Sequence, residues 1–262
     1  MKSTHAGIVL VIIGGALLLS ALGLDINIFL LLIAIALVYF GMRMLFLSSY
    51  QRDMENAKSF VIPLEGAARA KIELQHALGK VEVVGGSTDG MIIDGHCTGD
   101  VAPSAKLQGD LLTATISVPH KLAPMLIFPW NWKPYHWRLG INPNIPVEMH
   151  IESGLSDSQI DLSILQVTKL RVETGLGSTN ITMPSNAGFT DAKIKTGLGS
   201  ADIGIPNGVA ARIRIDGGLG DSDINTHRFP KNGKYYQSPD YETAANKIDL
   251  KIEYGLGSVS VK

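Results

Sequence analysis

A glycine-flanked leucine recurs along the chain at nearly constant spacing. It stands at Leu78 in HALGKVEV, Leu155 in SGLSDSQIDL, Leu176 in TGLGSTNITM, Leu198 in TGLGSADIGI, Leu219 in GGLGDSDIN and Leu256 in YGLGSVSV. From Leu155 to Leu219 the intervals are 21, 22 and 21 residues; the last is 37, one period plus an insertion containing RFPKNGKYYQSPDYETAANK. Such a period specifies stacked units, because one unit of this size cannot bury an apolar face alone.

The columns of the repeat say what the units are. Four residues before each leucine stand Leu74, Ile151, Val172, Ile194, Ile215 and Ile252; five after it stand Val83, Ile160, Ile181, Ile203, Ile224 and Val261. Polar residues alternate with them, as in Arg171 and Glu173 before the leucine and Asn180 and Thr182 after it. Alternation marks strands with one face in a core and one in water. Each period therefore reads as strand, turn, strand and a return ending near Pro184 or Pro206. Stacking at ~4.8 Å gives an all-β, parallel, right-handed β-helix-like solenoid. The turn residues Gly175, Gly177, Gly197, Gly199, Gly218, Gly220, Gly255 and Gly257 permit tight or positive-φ geometry, and Leu176, Leu198, Leu219 and Leu256 are expected to plug the corner of the stack. The solenoid is assigned to 64–262, with earlier strands in IELQHALGKVEVVGG, MIIDGHCTG and LLTATISVP and inserts at 119–140 and 227–246.

The first 47 residues are of another kind. Two apolar runs, 7–24 and 26–46, are separated by Asp25, and each has about the ~20 residues that cross a bilayer. A second run directly after the first argues against a cleaved signal peptide. The expectation is a transmembrane helical hairpin followed by a juxtamembrane linker at 48–63. Lys2 before it, and Arg43, Arg52 and Lys58 after it, place the β domain in the cytoplasm by the positive-inside rule.

Most chemistry is excluded by what the turns lack. Net charge is −1, with no basic block for nucleic acid. Cys97 is the single cysteine and reads as a small buried apolar residue. No turn has the lysine or spacing of a phosphate loop, and a strand rather than a helix follows each, against a dinucleotide site. GGLGDSDIN approaches a calcium-binding roll at Asp221 and Asp223, yet Ser222 stands where an aspartate is needed and the period is wrong. Stacking could bring Asp202 and Asp223 within one rung, as a carbohydrate-cleaving enzyme would require, but their column also holds Gln159, Asn180 and Ser260. No cofactor or metal is expected.

Two features remain as contact candidates. LIFPWNWKPYHW (126–137) holds Trp130, Trp132, Trp137 and Tyr135, either a cap on the stack or a surface for a partner or the bilayer interface. Arg171, Lys193, Arg214 and Lys251 form a basic column, balanced by Glu173, Asp216 and Glu253 two residues along or else a docking face for an acidic partner or anionic headgroups.

The run INPNIPVEMHIESGLSDSQIDLSILQVTKLRVETGLGSTNITMP, with GLGSADIGIPNGVAARIRIDGGLGDSDI and the terminal IDLKIEYGLGSVSV, resembles the toast-rack, LiaF-like C-terminal domain of the cell wall-active antibiotics response family. The hairpin in front is similar to the membrane region of LiaF-type proteins, although those often carry four spans. The resemblance implies a non-enzymatic, multi-pass membrane protein that modulates a two-component envelope-stress response by binding a sensor kinase or another envelope regulator. Two other expectations stand beside it. One is a polymer-forming scaffold or homo-oligomer resembling bactofilins, in which the rung GLGSVSVK ends the stack without a cap; the other is a carbohydrate-active β-helix enzyme.

Overall fold

The computed structural model describes residues 57–118 and 135–262. The expected hairpin at 7–46, Trp130 and Trp132 lie outside them. The described residues form one mixed 13-stranded sheet without a helix. Its strands are β1 (Lys58–Pro63), β2 (Arg69–Gly85), β3 (Met91–Cys97), β4 (Ala102–Gln108), β5 (Leu111–Ser117), β6 (Tyr135–Ile141), β7 (Pro146–Asp161), β8 (Gln166–Thr182), β9 (Phe189–Gly204), β10 (Ala210–Ile224), β11 (Lys231–Asn232), β12 (Tyr235–Gln237) and β13 (Lys247–Val261).

Each repeat is a single long strand bent at its glycines. In β7, Val147, Met149, Ile151 and Ser153 face inward, then Ser156, Ser158 and Ile160 do. The inward set changes from odd to even at Gly154-Leu155, a half-period slip that keeps one core on the inside of both limbs. Parallel pairing aligns the columns: Leu74, Ile151, Val172, Ile194 and Ile252 are consecutive neighbours in one limb, and Val83, Ile160, Ile181, Ile203 and Val261 in the other. All ten are buried. Ladders of this kind supply most of the stability, at about 1.5–3 kcal/mol per fully buried aliphatic side chain.

The order of rungs differs from the sequential stack expected. It runs β2, β7, β8, β9, β13, β10, so the C-terminal strand inserts between β9 and β10. Leu256 pairs with Leu198 on one side and Leu219 on the other. GLGSVSVK is therefore an interior rung, and β10 ends the stack. The insert 227–246 makes the exchange, carrying the chain out past β10, through β11 and β12, and back inside it. Phe229 is fully buried and Tyr241 nearly so, which fastens this insert to the stack.

The other end is covered by strands that the repeat does not contain. β5 pairs with the first limb of β2 and β6 with its second, followed by antiparallel β3 and β1. Thus β1 lies within residues expected to be linker, and β6, all but its last residue, within the expected insert at 119–140. The signal for both was weak: each is only six or seven residues long and lies outside the repeat.

Candidate functional site

The corner is built by backbone contact. Gly199 has φ +139°, and a Cβ built on it would lie 1.9 Å from the Gly177 carbonyl oxygen; Gly257, at φ +144°, would meet the Gly199 oxygen at 1.7 Å. The rungs approach so closely there that no side chain fits. Ser156 stands where the later rungs have this second glycine, and β7–β8 pairing skips from Leu155↔Leu176 to Ser158↔Thr179.

The leucines do not plug the corner. Leu78, Leu155, Leu176, Leu198, Leu256 and Leu219 form a row in register that opens to solvent over its last three rungs. Leu198 and Leu256 are 43% and 49% exposed, and Leu219 73%. Leu78, under the β6 end, is buried at 8%. The narrow inner angle holds small hydroxyls instead. Ser153, Thr174 and Thr196 are column neighbours, with Ser153 Oγ donating to Thr174 Oγ1 at 3.3 Å and the Thr174 and Thr179 hydroxyls 3.0 Å apart. The slip falls between Ser153 and Ser156, and this sends the leucine out and the hydroxyls in.

His76 closes the hydroxyl column at the β2 end. Its ring stands edge-on to Trp137 at 5.0 Å, and neither ring nitrogen makes a well-formed hydrogen bond among the described residues. Burial lowers its pKa to about 4, outweighing the Tyr135 backbone, which favours the charged form, and nearby His136 adds to the lowering. Trp137 is fully buried and Tyr135 partly so. These two members of the aromatic stretch belong to the core and its rim rather than to a free surface. Cys97 is fully buried, and burial pushes its thiol up to about 12.

The basic column is neutralised. Arg171 bonds Asp191 at 2.5 Å; Lys193 and Lys251 both reach Glu253, at 2.8 and 2.6 Å; Arg214 reaches Asp216 at 3.2 Å. The two lysines hold the Glu253 carboxyl down at about 2. The column is a mixed ladder of like and unlike charge.

The proposed acid pair is separated. Ser260 stands between Asp202 and Asp223, so the two carboxylates are two rungs, roughly 10 Å, apart. That spacing does not match the direct neighbours the sequence reading required. Among the described residues no group of three His, Cys, Asp or Glu side chains is placed to hold a metal ion.

One cluster escaped the sequence reading. A groove of about 710 Å³ is lined by Ser59, Asp94, His96 and Arg138. Ser59 Oγ lies 2.9 Å from His96 Nδ1, and His96 Nε2 lies 3.7 Å from Asp94. The order of groups suits nucleophile activation, but His96 Nε2 at 3.7 Å from Asp94 Oδ1 is beyond hydrogen-bond reach, and Gly86 N–H is used by the Ile141 carbonyl at 2.8 Å. Ser59 and His96 face each other across the antiparallel β1–β3 ladder, so the geometry fits cross-strand pairing on an exposed sheet face better than acyl transfer. Alternation in MIIDGHC places Asp94 and His96 on one face; Ser59 was hidden because β1 was not recognised.

The family model described as the N-terminal domain of toast_rack, DUF2154, matches residues 50–204. A Clostridium sporogenes protein, named as a candidate cell adhesion protein, has a similar fold at TM-score 0.72 and 22% identity, covering 79% of this chain and 98% of its own. A Bacteroides fragilis protein named as a candidate adhesin matches at TM-score 0.26 and 10% identity over the same shares. No curated protein matches the sequence. Among the described residues no helix is long and apolar enough to cross a membrane.

Proposed function

Because the chain belongs to the toast-rack family, we propose that it is a non-enzymatic binding protein, held at the cell membrane by the hairpin at 7–46, that modulates a cell-envelope stress response. The observation that carries this reading is the leucine ridge. Six leucines align along one corner of a stiff parallel stack, and those of the last three rungs are 43–73% exposed. At ~4.8 Å per rung the exposed part of the ridge is about 10 Å long, a small apolar patch that a partner's side chains can cover. A binding surface fixed to a rigid support regulates by differential affinity for two states of its partner and needs no chemistry.

The partner in this reading is a sensor kinase or another envelope regulator, met on the cytoplasmic side. A head-to-tail polymer is less favoured, since β5 and β6 occupy the β2 end and leave no bare edge of β2 to meet β10 of another copy. The test is photo-cross-linking in native membranes from positions 198 and 256, with and without a cell-wall antibiotic. Recovery of an envelope regulator, in an amount that changes with the antibiotic, is expected. Recovery of none under either condition would overturn the proposal.

A further inference from the structure

β10 ends the stack, and only part of its outer edge is taken. β12 pairs with it at Arg212↔Gln237 and Ile213↔Tyr236. Beyond Ile213, no strand among the described residues lies on that side. Ala211 directs its carbonyl and N–H outward to Ser238, at 2.8 and 2.9 Å. Past the corner, Asn225 N–H turns inward to the Val261 carbonyl at 3.0 Å. Strand alternation, with the half-period slip between, therefore points the backbone groups of Ile215, Ser222 and Ile224 at the free edge. Such a row is a template for an added strand.

Three features select the occupant. Leu219 is 73% exposed while Leu198 and Leu256, each with a rung on both sides, are 43% and 49% exposed; the difference is the apolar surface a further strand would cover. Ser222 and Gly217 occupy inward columns that hold Val259 and Tyr254 one rung in, so the core tapers to polar and small residues at this end. That suits a single added segment and not another stack with its own apolar end. Asp221 and Asp223 stand on the outward face, in columns where the inner neighbours are Ser258 and Ser260. The ion pairs on and beside this rung are Arg212–Asp249, Arg214–Asp216 and Lys251–Asp216, so Asp221 and Asp223 have no cationic partner among the described residues. In a second copy paired antiparallel so that inward faces match, Asp216 would come opposite Asp221 and Arg214 opposite Asp223; with one cation and three carboxylates in Arg214–Ile224, the two edges carry like net charge, which opposes the pairing.

We propose that the outer edge of β10, Arg214 to Ile224, receives an extended segment of a partner protein that carries Lys or Arg at alternate positions. The added strand continues the ladder past the corner, covers Leu219 and sets its cations against Asp221 and Asp223. This inference rests on the binding-protein reading, and names a second contact beside the ridge.

The test uses the full chain in a non-ionic detergent and two labelled nine-residue peptides, one alternating Lys and Val, the other Glu and Val, followed by fluorescence anisotropy. The Lys peptide is expected to bind at least about tenfold tighter than the Glu peptide, with affinity falling as salt is raised. Ser222→Pro removes an outward N–H without touching the β13 ladder, and is expected to weaken the Lys peptide by about tenfold or more. The double change Asp221→Asn, Asp223→Asn should remove the preference for Lys over Glu. An unchanged urea midpoint for the double Asn variant keeps its result independent of folding. Equal affinity for the two peptides, or wild-type binding by Ser222→Pro, overturns the proposal. So does a concentration-dependent dimer in sedimentation that Ser222→Pro abolishes, since the edge would then belong to a second copy. Failure of the peptides with successful cross-linking at the ridge removes the edge site alone; failure at the ridge with peptide binding removes the envelope-regulator reading alone.

Discussion

Gly199→Ala isolates the principle on which the corner rests. Its φ of +139° lies where L-residues rarely go, a cost of about 1–3 kcal/mol. The new Cβ would also stand 1.9 Å from the Gly177 oxygen, 2.9 Å from its carbon and 3.2 Å from its nitrogen. All of these are backbone atoms, so no rotamer change relieves the contact and β8 and β9 must separate locally. Losing one or two ladder hydrogen bonds adds about 1 kcal/mol each. The total is about 2–5 kcal/mol, a large share of the ~5–15 kcal/mol typical of a domain. Gly208→Ala is the control: its φ is +81° and nothing lies within 4 Å of the added Cβ, leaving only the left-handed cost of about 1–2 kcal/mol. Urea titration of the full chain in detergent, followed by tryptophan fluorescence to which buried Trp137 contributes, should place the Gly199→Ala midpoint about 1 M below that of Gly208→Ala. Equal midpoints would show that rung approach is not what the glycine serves.

Three further outcomes are expected. His76 has a folded pKa near 4 against 6.5 unfolded, so the unfolded state binds the proton more readily; stability should fall by about 3 kcal/mol as pH drops from 6.5 to 4, and His76→Phe should flatten urea midpoints across that window. Glu253, held near 2 by Lys193 and Lys251, contributes stability that is present above its ordinary pKa of 4.5 and lost as pH falls from there toward 2; because the pair is partly exposed, Glu253→Gln should cost no more than about 1 kcal/mol at neutral pH and soften with salt, measured by the same titration. Ile194→Ala, in the middle of a buried ladder, should cost about 2–5 kcal/mol, and a loss under 1 kcal/mol in the same assay would contradict the packing described.

Much of the architecture was legible because the repeat writes the same contact many times. Ile151 and Ile160 are nine residues apart, an odd separation that a straight strand would turn to opposite faces. Their shared burial requires a half-period slip, and the spacing alone contained it. Which residue takes the slip was not in the spacing: placed after Leu155 it sends that side chain inward, and placed at Gly154-Leu155 it sends it outward. Packing decides, because the inner angle admits Ser153 and Thr174 but no leucine. The exchange of β13 and β10 was hidden for a related reason. Leu219 and Leu256 present the same columns to Leu198, so either order satisfies the pattern, and the 37-residue interval shows an insertion without its path. The groove at Ser59 and His96 needed a pairing between β1 and β3 that no periodicity announces.

The exchanged rung also bears on how the chain is made. β10 leaves the ribosome before β13, yet finds its ladder only on β13 and the short β12. Until β13 (Lys247–Val261) emerges, the edge of β9 stands open to a β10 whose columns match it as well as those of β13 do. A β10 paired on β9 would make a self-consistent stack one rung short, which would have to open again to admit β13. Closing contacts between residues far apart in sequence is slow, and here it is also a displacement. Strand β13 would act as a timer: the domain cannot reach its final order before this strand has emerged.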